Sequence, residues 1–210
     1  MNGDQFSELI IAAMPHLELA RDELRDLDAA LGDGDLGITV AGGAAAIGAA
    51  VRQLPGPREP APILRAAGRA FAGANPSTFS ALVSAGLSAA ARELAGVRDL
   101  DRAAAVRLLQ TAVDAIRQRG GAAPGDKTVV DAILPSQAAL EQAGPDGGEA
   151  LAAMAGAAKA AVSETATLQS RRGRAAWLGE RSTGRPDGGA TAYLRFLEAL
   201  AASWPQAGAQ

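Results

Sequence analysis

Three aspartates crowd into one glycine-rich turn of this sequence. Asp28, Asp33 and Asp35 lie in the stretch LDAALGDGDLGITVAGG, residues 27–43, which has almost no other polar side chains. Carboxylate oxygens are hard ligands, and Mg²⁺ typically binds one or two of them together with phosphate oxygens and water. Three acids in a glycine turn can hold two Mg²⁺ ions, whose charge turns the repulsion of a polyphosphate into attraction. The turn therefore indicates half of a metal–nucleotide site. The alternative is a solvated turn at a helix end, with Asp33 or Asp35 as a cap.

Two other motifs fit the same turn less well. Its glycines match G-x-G-x-x-G, but the dinucleotide fingerprint needs a preceding strand, and here the charged helical stretch LARDELRDLDAAL precedes it. An EF-hand needs a third acid two residues beyond Asp35 and a glutamate at its twelfth position, and the sequence has neither. The helix that begins near Leu36 to Thr39 instead offers its N-terminal amides and its dipole to an anion.

The elements that must position this turn are helices. Apolar residues recur every three or four positions, and no stretch alternates at period two for the length of a strand. Short loops predict antiparallel neighbours, so we expect an all-α, up-and-down fold in a single domain, residues 1–210. Pro15 is expected to bend or split the first helical region, and Pro76 suits a helix start. The eight predicted regions are 6–31, 38–53, 61–73, 76–96, 99–120, 126–144, 147–170 and 188–204.

Composition excludes several classes of function. The net charge of −3 argues against nucleic acid as the main partner, and no apolar run approaches the roughly 18 residues of a membrane span. The absence of cysteine excludes disulfides and thiolate chemistry. The only histidine, His16, is expected to be a partly exposed helix residue, and it cannot serve a site that needs two. With no signal-peptide pattern at residues 1–10, we expect a cytoplasmic protein.

One connection is too long for an ordinary turn. Residues 171–189, RRGRAAWLGERSTGRPDGG, carry five arginines and several glycines, and loops of this length are usually functional or disordered. Trp177 and Leu178 are expected to anchor it against the helices. We therefore predict an ordered, functional segment, called the arginine loop below.

Four segments in order give the chain a resemblance to the nucleotide-binding (L) subunit of the dihydroxyacetone kinase family, over nearly its whole length. The family pattern is an aspartate, four residues and G-D-G-D-x-G, then a G-A-S-G-like turn, then R-G-x-x-x-P-G-D-K-T, and finally G-R-A-x-x-L-G-E-R-S followed by D-x-G-A. The matching segments are Asp28 to Gly37, GANPSTFS at 73–80, Arg119 to Thr128, Gly173 to Ser182 and Asp187 to Ala190.

The resemblance implies a closed barrel of eight antiparallel helices with ADP or ATP and two Mg²⁺ ions at one end. The metal ligands would be Asp28, Asp33 and Asp35, and Arg174 or Arg181 would stabilise charge on the transferring phosphoryl group. An ion pair of Arg181 with Glu180 or another acid is the alternative for that side chain. The implied nucleotide contacts are Leu36, Gly37, Ile38, Thr39, Ala74, Asn75, Gly120, Val129, Arg174, Asp187, Gly188 and Gly189.

The resemblance also implies a division of labour. The ketose is held covalently on a histidine of a separate K subunit or domain, which this chain does not contain, so the chain would supply the phosphoryl group to a partner. The phosphoryl donor is either ATP or a phosphocarrier protein of the sugar phosphotransferase system. The resemblance is compatible with a homodimer of this chain. Lys127 is expected to pair with Asp131 at the start of a helix rather than to bind phosphate.

Several positions depart from the family pattern. Leu36 stands where histidine or threonine is usual, Thr39 where asparagine is usual, and Asn75-Pro76 replace Ser-Gly. Arg185 and Gly188 stand where histidine and proline are common. Proline has no N–H, so a backbone donor to phosphate is lost if that glycine serves as one. Three interpretations remain: a kinase for a different ketose, altered nucleotide handling, or a non-catalytic nucleotide-binding adaptor or regulatory subunit.

Overall fold

The computed structural model describes residues 1–205, and all regular elements within them are helical. The predicted all-α class is confirmed, while the last five residues of the predicted domain lie outside the described part. None of the described helices is both long and apolar enough to cross a membrane. The helices are α1 Gly3–Glu18, α2 Arg21–Ala29, α3 Leu36–Arg52, α4 Pro60–Ala74, α5 Thr78–Glu93, α6 Arg102–Gly120, α7 Val129–Gln142, α8 Gly147–Thr165 and α9 Gly188–Ser203, with a 3₁₀ helix Arg174–Ser182 before α9.

The eight longer helices contact one another in ring order. α1 packs on α3, each helix from α3 to α8 packs on the next, and α9 packs back on α1. The short helix α2 lies against α3 and α9. This order of contacts is compatible with the predicted closed barrel. All eight helices contribute to the lining of an apolar cavity of about 590 Å³ between them.

The first predicted helical region is divided, but not at its proline. Pro15 lies inside α1, one turn before the helix ends at Glu18, and the break falls at Leu19 and Ala20. Proline lacks the N–H that would bond the carbonyl oxygen of Ile11, so it removes one hydrogen bond of α1 without ending the helix. The predicted start at Pro76 is also displaced, because Ser77 caps α5 with its side chain on the amide of Ser80.

The seventh predicted region is shorter than expected. α8 ends at Thr165, and the amides of Ala166, Thr167 and Leu168 each bond the carbonyl oxygen three residues earlier. Such bonds tighten the last turn and end the helix. The chain then enters the arginine loop.

Alternation of the helices determines which loops share an end of the bundle. Because successive ring helices joined by short connections run in opposite directions, the starts of α3, α5 and α7 lie at the same end as the last residues of α4, α6 and α8. The start of α9 lies there too, because the amide of Asp187 donates to Oγ1 of Thr165 at the end of α8. The acidic turn precedes α3, and the arginine loop precedes α9. Every segment of the predicted site therefore belongs to one end of the fold.

A pair of adjacent glycines in α3 tests the packing of the ring. A methyl group at Gly43 would lie 2.2 Å from Cδ2 of Phe71, whereas a methyl group at Gly42 meets nothing within 4 Å. We predict that Gly43→Ala lowers the free energy of unfolding by about 1–3 kcal/mol through overpacking. Gly42→Ala should raise it by about 0.5–1 kcal/mol through helix propensity. Urea unfolding measures both, and equal effects of the two variants would contradict the packing of α3 on α4.

Candidate metal and nucleotide site

The three aspartates of the acidic turn converge on one point. Their nearest carboxylate oxygens all lie within 4.8 Å of one another. Asp28 lies in the last turn of α2, and its Oδ2 accepts a hydrogen bond from the amide of Leu36 at 3.1 Å. Asp33 is exposed, and Asp35 is partly buried at the start of α3. The site thus gathers carboxylates from the end of one helix, a turn and the start of the next helix.

Glycines make this convergence sterically feasible. A methyl group at Gly32 would lie 2.5 Å from Oδ1 of Asp28, and Gly34 has a φ of +78°, which L side chains rarely adopt. At Gly37 a methyl group would lie 2.1 Å from the carbonyl oxygen of Arg21, so this glycine allows the start of α3 to pack on α2. Like-charged carboxylates at this spacing repel one another. A set of oxygen-only donors is the kind that Mg²⁺ prefers.

The start of α3 differs from the other helix starts at this end. The N-cap residues of α5, α7 and α9, which are Ser77, Thr128 and Asp187, accept hydrogen bonds with their side chains, whereas Asp35, the N-cap residue of α3, does not. Among residues 1–205, the amides of Gly37 and Ile38 have no hydrogen-bond acceptor. An uncapped helix start with free amides favours an anion. The acidic turn therefore lies beside free helix amides that can bind a phosphate oxygen, provided that cations offset the negative charge of the three aspartates.

Two predicted contact residues that depart from the family pattern bond each other. Asn75 ends α4, and its Nδ2 donates to Oγ1 of the buried Thr39 at 2.8 Å. The resemblance places asparagine at 39 and serine at 75, so a hydroxyl and an amide occupy exchanged positions in this chain. A polar contact therefore joins α3 and α4 at this end.

A second pair of departures also lies in contact. Leu36 is buried, and its Cδ2 would lie 2.8 Å from a methyl group at position 188. A proline there, as the family pattern has it, would require the end of this leucine side chain to shift. Next to them, a methyl group at Gly189 would lie 3.6 Å from Cβ of Val129. The starts of α3, α7 and α9 therefore meet closely at this end.

The structure also locates the remaining predicted residues. Arg174 contacts the carboxylate of Asp33, which brings the arginine loop onto the acidic turn. Ala74 and Ile38 are exposed on the same end, and Gly120 is the last residue of α6. Arg181 is exposed and forms no ion pair within residues 1–205, so the alternative for this side chain, a pair with Glu180 or another acid, is not found. The structure does not bring Arg181 to the acidic turn.

Two expectations about side chains near the site are wrong. Trp177 does not anchor the arginine loop, because its side chain is 86% exposed, although Leu178 is partly buried. Lys127 does not pair with Asp131, whose carboxylate accepts hydrogen bonds from the amides of Gly125 and Thr128 instead. The side chain of Lys127 is buried and donates to backbone carbonyl oxygens. Sequence patterns seldom reveal a buried lysine, since lysine is almost never fully buried.

Asp187 is the most strongly perturbed acid at this end. Burial raises the pKa of its carboxyl group to about 6, and the charge of Asp131 adds to the increase. A hydrogen bond from the amide of Ala190 and the charge of Lys127 act in the opposite direction. Its own amide donates to Oγ1 of Thr165 at 2.9 Å, which ties α9 to the end of α8.

Comparison with known proteins identifies the family. The family model for the DAK2 domain matches residues 30–202. The chain therefore belongs to the DAK2 domain family. It is 40% identical over 183 residues to the L-erythrulose 1-kinase of Mycolicibacterium smegmatis, an alignment that covers 85% of this chain and 32% of that protein. The chain thus spans about a third of the length of this relative.

Two further similarities concern dihydroxyacetone kinases. Over 98 residues the chain is 38% identical to the ADP-binding subunit DhaL of the PEP-dependent dihydroxyacetone kinase of Escherichia coli, covering 45% of this chain and 47% of that subunit. Its structure resembles that of the dihydroxyacetone kinase from C. freundii in complex with AMP-PNP and Mg²⁺. That match has a TM-score of 0.75 and 26% identity, and it covers 94% of this chain and 33% of the other.

The raised pKa of Asp187 makes a prediction about pH. Between about pH 4 and pH 6 the folded protein keeps the proton that the unfolded chain has lost, so the free energy of unfolding falls as the pH rises through this window. Asp187→Asn can still cap α9 but does not titrate. Relative to wild type, its free energy of unfolding should rise by about 1–3 kcal/mol between pH 4 and pH 7. Urea unfolding at several pH values checks this, and a constant difference would contradict the assignment.

Proposed function

We propose that this chain is the phosphoryl-transfer part of a kinase for dihydroxyacetone or a related short ketose, and that it acts in the cytoplasm. The observation that carries the proposal is the convergence of three carboxylates beside the uncapped start of α3. In this reading Asp28, Asp33 and Asp35 hold two Mg²⁺ ions, which neutralise the charge of the phosphates. The nucleotide, ADP or ATP, lies across the helix ends that meet there.

The side chains and amides of this chain do mainly positioning and charge stabilisation, since phosphoryl transfer asks little covalent chemistry of a protein. The amides of Gly37 and Ile38 donate to phosphate oxygens. Arg174 already lies beside the acidic turn, and its planar group of donors suits a phosphate. Arg181 is a second candidate that would have to approach from the arginine loop. The other proposed nucleotide contacts are Leu36, Thr39, Ala74, Asn75, Gly120, Val129, Asp187, Gly188 and Gly189.

The paired departures favour an active site over a decayed one. Asn75 and Thr39 form a hydrogen bond with each other, and Leu36 lies beside Gly188. The adaptor interpretation rests on Leu36, whose side chain cannot donate a hydrogen bond to phosphate, and on Pro76, which has no backbone N–H to donate. We therefore propose that the nucleotide contacts are adjusted, which suits a kinase that differs in its ketose or in its handling of nucleotide.

The acceptor is proposed to lie on another protein or domain. The chain spans about a third of the length of a relative named as an erythrulose kinase. We propose that the remaining function, holding the ketose, belongs to a K subunit or domain that docks on this end of the bundle. The donor would be ATP, or a phosphocarrier protein that rephosphorylates bound ADP. A homodimer is compatible with either arrangement.

The metal assignment is tested by removing one charge from the turn. Asp33→Asn should weaken binding of Mg²⁺–ADP by about 1.5–3 kcal/mol, the scale of a lost interaction with a charged group, with helix content unchanged. Asp35→Asn, which leaves the contact of Arg174 with Asp33 in place, should show a similar loss. Isothermal calorimetry measures both affinities.

The matched control is Asp26→Asn. Asp26 forms an exposed ion pair with Arg25 on α2. Its replacement removes one negative charge outside the acidic turn, so the affinity for Mg²⁺–ADP should stay near that of wild type. Wild-type affinity in the Asp33 and Asp35 variants, or an equal loss in the Asp26 variant, would refute the metal site.

The division of labour makes a separate prediction. The chain by itself should not phosphorylate dihydroxyacetone or a tetrulose, and addition of a ketose-binding K subunit should produce turnover, since each provides half of the site. A coupled assay with ATP, and a second one with a phosphocarrier donor, measures this. Turnover by the chain alone would contradict the assigned roles, and tight nucleotide binding without turnover with any K subunit would favour the adaptor.

A further inference from the structure

Lys127 ties together two distant parts of the chain. Its side chain is 2% exposed, and Nζ donates to the carbonyl oxygen of Leu168 at 3.1 Å and to that of Ser182. Leu168 follows α8, just before the arginine loop, and Ser182 ends the 3₁₀ helix within the loop. One buried ammonium group thus holds both ends of the segment that carries Arg174.

The backbone at Lys127 is fixed on both sides. Its φ of +62° is in the left-handed region, which a residue with a side chain occupies only where its surroundings determine it. The carboxylate of Asp131 accepts from the amides of Gly125 at 2.6 Å and Thr128 at 2.7 Å. The carboxylate of Asp126 accepts from the amide of Ala123. These bonds lock the turn that directs the lysine inward.

The same turn holds the start of the arginine loop. The carbonyl oxygen of Asp126 accepts from the amide of Arg171 at 3.0 Å, and its carboxylate accepts from Nε of Arg172 at 2.9 Å. Across the base of the loop, the amide of Ser170 donates to Oγ of Ser182 at 2.9 Å. The loop is therefore closed at its base, with Lys127 at the point where the two ends meet.

Between these ties lies the 3₁₀ helix Arg174–Ser182, which begins with Arg174. Gly173, Gly179 and Gly184 have positive φ angles, and the loop reaches the acidic turn through the contact of Arg174 with Asp33. The location of Arg174 therefore depends on how the base of the loop is held. A lysine whose ammonium group donates to two backbone carbonyl oxygens is not directed at a phosphate.

We propose that Lys127 is a positioning residue. It holds the base of the arginine loop so that Arg174 lies over the acidic turn, and it acts on nucleotide through Arg174 rather than by contact. The first part of the proposal concerns the loop alone, while the second rests on the function proposed above. The two parts have separate tests.

The first test needs no nucleotide. Lys127→Met keeps much of the side-chain length but removes every donor. Hydrogen exchange followed by mass spectrometry should show faster exchange across the base of the loop, at the amides of Ser170, Arg171 and Gly184, with the interiors of α3 to α7 unchanged. The control is Lys159→Met, at the other lysine of the chain, which is exposed on α8. Unchanged exchange at the base of the loop in Lys127→Met would overturn the proposal.

The second test is a double-mutant cycle with Mg²⁺–ADP. In the wild-type background Arg174→Ala should lower the affinity about tenfold or more, whereas in the Lys127→Met background it should lower it by less than about twofold, because the arginine is already displaced. Additive losses would show that the lysine acts independently of Arg174. If the wild type does not bind Mg²⁺–ADP, the proposed function fails, and the exchange experiment still decides the first part.

Folding is checked by circular dichroism. If Lys127→Met does not fold, Lys127→Gln, which retains an uncharged donor, replaces it in both tests. If neither variant keeps the helix content of wild type, Lys127 is required for folding as a whole, and its role as a positioning residue is wrong.

Discussion

Mutual repulsion of the carboxylates of Asp28, Asp33 and Asp35 is the constraint on which the site depends. Their nearest oxygens lie within 4.8 Å of one another, a spacing that costs free energy unless cations offset the charge. Gly32 and Gly34 permit the spacing, and a chain gains nothing for its packing by keeping acids so close. The proposed pair of hard cations would make the arrangement favourable and would convert the acidic turn into a place where phosphates bind.

The helical ring explains why the other parts of the site arrive at the same place. Alternating helix directions bring the uncapped start of α3, the end of α4 and the start of α9 to one end. Small residues then allow close approach, as Gly37 does against α2 and Gly188 against Leu36. The arginine loop completes this end, because Lys127 and Asp126 hold its base while Arg174 reaches Asp33. Charged groups from distant parts of the chain thus meet at one end of an apolar bundle.

Features that depend on residues close together in the chain can be predicted from the sequence. The helical class followed from periodicity, and the acidic turn is local, because its three ligands belong to one short stretch. Contacts between distant segments were not accessible in this way. The bond from Asn75 to Thr39 requires knowledge that α3 and α4 are neighbours, and no local pattern indicates it.

The wrong predictions for Trp177 and Lys127 have a common physical cause. Tryptophan usually packs in a core and lysine usually faces solvent, so the opposite behaviour of Trp177 and Lys127 contradicts ordinary residue preferences. Such reversals occur where a structure has a particular requirement. Here the requirement is a loop that is tied at its base by a buried lysine and remains open along its outer face.

The central claim is that the acidic turn holds two divalent ions together with a nucleotide. Mn²⁺ can replace Mg²⁺ at oxygen sites and is counted by electron paramagnetic resonance. Titration of the protein with Mn²⁺ in the presence of saturating ADP tests the claim most directly. The account predicts two bound Mn²⁺ per chain in wild type and a lower number in Asp33→Asn. A wild-type protein that binds no Mn²⁺ beyond the amount held by free ADP would contradict the account.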